Sequence, residues 1–91
     1  MSEYKGKYAV TFEIEIACEM SAFILSEYRR YFKSKNLSGK DMQDPDQALY
    51  WELVHLKNEL YSAETVEDVK KIEDVFDNAH KHLKEIYENA M

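Results

Sequence analysis

Residues 8–16 read Tyr8-Ala9-Val10-Thr11-Phe12-Glu13-Ile14-Glu15-Ile16, and the fold class turns on them. Tyr8, Val10, Phe12, Ile14 and Ile16 alternate with Ala9, Thr11, Glu13 and Glu15. Period two is the pattern of a half-buried strand. The same stretch also opens a helical seam. Val10, Ile14, Ala17, Ile24, Tyr28 and Tyr31 fall on one side of an α-helix, with Ser21 among them. No Gly, Pro, Asn or Asp separates the alternating run from the helical stretch behind it. A lone strand needs a sheet partner, and nothing else in the chain offers one. One continuous helix over about 8–35 is therefore the preferred reading. The alternative is a short strand over 8–16 ahead of three helices, which would almost require a dimer pairing two such strands.

Behind this element comes the one clear break, Asn36-Leu37-Ser38-Gly39-Lys40-Asp41-Met42-Gln43-Asp44-Pro45-Asp46. A Gly, the only Pro and several Asn, Ser and Asp residues are loop chemistry. The loop is placed at 36–45. A second helix follows over about 46–61, capped by Asp44 or Asp46, with Pro45 near its first turn. Leu49, Leu53, Leu56 and Leu60 form one stripe on it, and Tyr50, Val54 and Tyr61 a second, with Trp51 further round. An arc that wide predicts burial on two sides. The third helix, about 65–90, has the plainest pattern. Val69, Ile72, Phe76, Ala79, Leu83, Ile86 and Ala90 recur at steps of three and four. Thr65 suits its N-cap, with Glu67 and Asp68 in the first turn, where the helix dipole favours acids. Glu67 with Lys71, and Asp77 with Lys81, form i,i+4 pairs on the wet side. The expectation is one all-α domain, a three-helix bundle of long, short and long elements. The length mismatch and the wide arc leave apolar surface that a homodimer or a tight partner would cover.

The chain has 91 residues, enough for one modest core. Two Gly and one Pro are too few for a protein of many strands and turns. The single Cys18 cannot form an internal disulfide, no apolar run is long enough for a bilayer, and the start lacks a signal-peptide pattern. A cytoplasmic location is expected, with no membrane contact. Net charge is −6 and unevenly spread. Residues 28–40 hold Arg29, Arg30, Lys33, Lys35 and Lys40 with no acid, while 41–91 hold thirteen acids and five lysines. Most of that surface would repel phosphates, so nucleic acid is disfavoured and a partner with a basic surface is favoured.

Two constellations bear on chemistry. Glu52-x-x-His55 and Asp77-x-x-His80 have the i,i+3 carboxylate–imidazole spacing used in ferritin-like di-metal bundles. Asp replaces Glu in one pair, so the motif is partial. Its plainer reading is ordinary surface residues, and no cofactor is expected. His80 should be partly buried near the apolar stripe, and His82 should face solvent. Tyr28-Arg29-Arg30-Tyr31-Phe32-Lys33 interleaves aromatics with cations. Such a run can stack on bases or meet an acidic protein surface, but inward aromatics with a solvated, basic helix end explain it more simply. Cys18 lacks a neighbouring His and sits in an apolar run, as a buried structural thiol would. No phosphate loop, nucleophile elbow or zinc spacing occurs.

The sequence thus points to a small, acidic, non-enzymatic protein-binding module. Its best-motivated form is an inhibitor or immunity-type protein that covers a basic surface on its partner, a profile of size and charge shared by phage-encoded inhibitors and toxin-neutralising proteins. The candidate contact residues are Tyr50, Trp51 and His55, Arg29, Arg30 and Tyr31, and the outward acids Asp74 and Asp77. Tyr, Trp and Arg dominate binding hot spots because they bury much area and keep a polar tip. The alternatives are the metal-binding bundle of Glu52, His55, Asp77 and His80, and a structural homo-oligomeric subunit.

Overall fold

Residues 8–16 are helical. The structure, a computed structural model, describes the backbone of residues 2–38 and 40–90 and the side chains of 10–38 and 40–89. It contains α1 (Ser2–Ser34), α2 (Pro45–Glu59), a 3-10 turn (Leu60–Ser62) and α3 (Val66–Ala90). Among the described residues there is no strand, as the all-α reading expects. The side chains of Tyr8, Ala9 and Ala90 lie outside the described residues.

The end of α1 and the starts of α2 and α3 have local causes. At the end of α1, Asn36 takes a left-handed conformation (φ 58°). Its N–H donates to the Lys33 carbonyl (3.1 Å), and the Leu37 N–H donates to the Phe32 carbonyl (2.8 Å). This pair of bonds satisfies the last carbonyls and turns the chain out of the helix. Asp44 caps α2, accepting from the Asp46 N–H at 2.9 Å, with Pro45 as the first helical residue. Thr65 and Asp68 cap α3 reciprocally. The Asp68 N–H donates to Thr65 Oγ1 (3.1 Å), and the Thr65 N–H to Asp68 Oδ2 (3.3 Å). Both capping carboxyls are held below their ordinary value, Asp44 chiefly by the Asp46 backbone N–H and Asp68 chiefly by Thr65.

The helices run up, down and up. Phe32 meets Tyr50 while Ala17 clusters with Leu60, so α2 is antiparallel to α1. Ala17 also clusters with Val69 while Tyr31 meets Tyr87, so α3 is parallel to α1. The main core gathers Ile24, Leu25, Tyr28, Phe32, Tyr50, Leu53, Phe76, Ala79 and Leu83. Most of the expected seam is there, with Ile72 and Ile86 half-buried at its edge. Leu25 and Phe32 join the seam of α1 in place of Tyr31, which is half-buried. Two polar groups inside are satisfied. Ser21 Oγ donates to the Ala17 carbonyl (2.6 Å), and the Tyr28 hydroxyl donates across helices to the Ala79 carbonyl (2.7 Å). Burial, with Asp46 nearby, pushes Tyr28 up to about 12.

Two polar residues tie the loop to the bundle. Gln47 is 2 % exposed; its Oε1 accepts from the Asp41 N–H (2.7 Å) and its Nε2 donates to Asp44 Oδ2 (3.1 Å). His82 is exposed, as expected. Its Nε2 lies 2.9 Å from Asp46 Oδ1, joining α3 to the first turn of α2. Cys18 is half-buried rather than buried, beside Tyr61, whose hydroxyl it holds above the ordinary value.

Candidate docking surfaces

A 33-residue helix is about 50 Å long at 1.5 Å per residue, close to the 52 Å length of the molecule. The 15 residues of α2 span less than half of that. The N-terminal part of α1 therefore runs on past its neighbours. Among the described side chains of α1, Ala17 is the first that is fully buried.

On this helix the alternating run becomes something other than a strand. At 100° per residue, Val10 and Ile14 turn toward the bundle, where both are half-buried. Phe12 and Ile16 turn away. With Phe23 they lie within about 40° of one another on the wheel, roughly opposite Ala17, Ser21 and Tyr28. Their exposures are 52 %, 42 % and 56 %. Phe23 stands edge-to-face with His80 at 5.9 Å, and that imidazole is half-buried. None of the three was among the contact residues expected from the sequence. The alternation was the signal for Phe12 and Ile16: in a helix, period two distributes apolar residues over two faces.

The expected contact residues do not form one site. Arg29, Tyr50 and Trp51 come together. Tyr50 is buried, edge-on to Phe32 (5.5 Å) and Trp51 (5.3 Å), and Arg29 Nη1 donates to its hydroxyl at 3.2 Å. The first helix therefore covers Tyr50, while Trp51 is half-buried beside a cavity of about 320 Å³. Phe32, Leu37, Tyr50 and Trp51 wall that cavity, and Arg29, Lys33 and Lys40 also line it. Tyr31 points elsewhere, edge-on to Tyr87 at 5.7 Å, and its hydroxyl is raised by burial and by Asp46. Arg30 is exposed, 3.9 Å from Glu27. His55 is exposed on α2, and Asp74 and Asp77 are exposed on α3, with Asp77 3.5 Å from Lys81.

The four residues of the metal reading gain no support. Glu52 and His55 are exposed, Asp77 pairs with Lys81, and His80 packs on Phe23. Among the described residues, no group of three or more His, Cys, Asp or Glu side chains could hold a metal ion. Two carboxylates meet at the α1–α3 seam. There Glu73 faces Glu13, its Oε1 is buried without a hydrogen-bond partner, and its carboxyl is raised first by burial and then by the Glu13 charge. Among the described residues, no helix is long and apolar enough to cross a membrane.

The fold and surface define a class: a small three-helix bundle with an exposed apolar stripe and an aromatic-walled cavity on its outside. The chain belongs to the bacterial epsilon antitoxin family, whose model matches residues 6–86. No curated protein and no solved structure matches it. Membership makes it a small antitoxin-type protein that acts on a protein partner.

Proposed function

We propose that this chain neutralises a toxin by occupying its surface, without chemistry of its own. The observation that carries the reading is the exposed stripe of Phe12, Ile16 and Phe23 on the side of α1 turned away from the core. Large apolar side chains aligned on one exposed face are the mark of an interaction surface. The acidic side of α3, with Asp74 and Asp77, suits a basic region of the toxin and would steer the encounter. Arg29 and Trp51, which meet over Tyr50, belong to a further contact region, whereas Arg30, Tyr31 and His55 lie outside it.

Co-expression tests the reading. The chain should restore growth to bacteria producing the cognate toxin and should co-purify with it in a stoichiometric complex. Failure of both rescue and co-purification would refute it. A second reading uses the same stripe: two copies pairing through it would make a homodimer. Sedimentation of the free chain decides that point, and a monomer at high micromolar concentration removes it.

A further inference from the structure

The groove between α1 and α2 has a chemistry opposite to that of the rest of the molecule. Two hollows of about 320 Å³ each lie along it and share Arg29, Tyr50 and Trp51. One extends toward Lys33 and Lys40, the other toward Val54 and Lys57. Four cations therefore border the groove, and no carboxylate lines either hollow. Among the described residues, none of Arg29, Lys33, Lys40 and Lys57 is in an ion pair. In a chain with 18 acids and 12 basic residues, an acid-free run of unneutralised cations over an aromatic floor is a surface awaiting a negative charge.

We propose that this groove receives an acidic polypeptide segment of the toxin, one carrying an aromatic or leucine side chain. The proposal rests on the reading of the chain as a toxin neutraliser. A small organic anion would fill one hollow, whereas a segment spans both. Its apolar side chain would sit against Trp51 and Tyr50, and its carboxylates would meet the lysines at either end. Burying an aromatic or leucine anchor in such a pocket supplies affinity, and the flanking charges supply association rate and register. A nucleic acid also offers negative charge, but the thirteen acids over residues 41–91 would repel its remaining phosphates.

Trp51 is the only Trp in the chain, so its emission reports on the groove. The full chain is titrated with overlapping synthetic peptides covering the toxin sequence, with single-stranded DNA and with adenosine monophosphate. An acidic toxin peptide should shift Trp51 emission. Lys33→Glu with Lys40→Glu should weaken both that peptide and intact toxin by about tenfold to a hundredfold, mostly through slower association. Both lysines are exposed, so the circular dichroism should not change. If the charge-reversed chain is unstable, Lys33→Gln with Lys40→Gln should still lose about tenfold. Intact toxin binding wild type and variant equally would overturn the groove while leaving neutralisation standing. Intact toxin failing to bind the wild type would bring down both. A response to DNA or to the nucleotide, with none to any toxin peptide, would overturn the proposal in favour of a phosphate ligand.

Discussion

Replacing Phe12 and Ile16 with Ala should cut toxin affinity on the order of a hundredfold and leave the bundle folded. Phe12 is 52 % exposed and Ile16 42 %. An aromatic side chain presents roughly 200 Å², so about half of that remains for a partner to cover. At about 25 cal/mol per Å², complete coverage of Phe12 contributes about 2.5 kcal/mol, of which truncation to Ala removes about 2. Burying a whole Ile is worth about 2 kcal/mol, so the exposed share of Ile16 adds about 1. The two sum to about 3 kcal/mol, and each 1.4 kcal/mol is a factor of about ten. Titration calorimetry of the full chain into purified toxin reads this directly, and the binding heat capacity should become less negative as apolar burial is lost. Thermal melting of the free variant provides the control. Ala favours helix more than Phe or Ile, so the midpoint should hold or rise slightly. A double variant that binds toxin like the wild type would show that the stripe is not the contact. A variant that melts markedly lower would show that the stripe belongs to the fold.

Tyr28→Phe should lower Tm by about 4–8 °C, since it removes one buried hydrogen bond worth about 1 kcal/mol while the Ala79 carbonyl keeps its partner within α3. The same variant has an alkaline signature: Tyr28 is raised to about 12, so its share of stability is complete below pH 10 and disappears as pH rises through 12. Wild type should therefore lose stability over that window more steeply than Tyr28→Phe, and parallel curves would count against the assignment. Glu73→Gln should raise Tm at neutral pH, because burial and Glu13 hold that carboxyl above its ordinary value. A raised carboxyl is least costly when protonated, so the gain should close as pH falls through the carboxylate range, which melting at several pH values will test. Asp44 and Asp68 behave oppositely. Their carboxyls are lowered, so the capping stability is complete above about pH 4 and is lost on further acidification, and Asp44→Ala or Asp68→Ala should melt below wild type at neutral pH but converge with it in strong acid.

What could be read from the sequence follows from how one-sided each helix is. The third helix packs along one stripe, and Val69, Phe76, Ala79 and Leu83 of that stripe are all buried. The wide apolar arc on α2 correctly indicated two-sided packing, because Tyr50 meets α1 while Leu53 and Leu60 lie in the core clusters. Local capping chemistry at Asp44 and Thr65 was legible because it acts within three residues. Contacts between distant polar residues were not. Nothing in a periodicity links His82 to Asp46, and nothing marks Gln47 as the buried tie between the loop and the α2 cap. Among the candidate contact residues, Arg29, Tyr50 and Trp51 meet because the loop returns α2 antiparallel along the end of α1. His55, Asp74 and Asp77 lie elsewhere on the exposed faces of α2 and α3.

The ambiguity at residues 8–16 and the exposed apolar stripe have one origin. A helix serving only its own core needs apolar residues on one face, and period two is then a conflict between local pattern and fold. Foldable sequences keep such conflicts where function needs them. Here the helix resolves the conflict by giving Val10 and Ile14 to the bundle and leaving Phe12 and Ile16 outside. The pattern that resembled a strand thus describes a helix with two apolar obligations, only one of which this chain fulfils itself. Phe23 lies on the same face farther along the helix, so the second obligation extends beyond the alternating segment. A face of that length on the longest element of the molecule would suit a partner that receives α1 lengthwise, and the cationic groove, about 100° round the same helix, would take a segment of that partner.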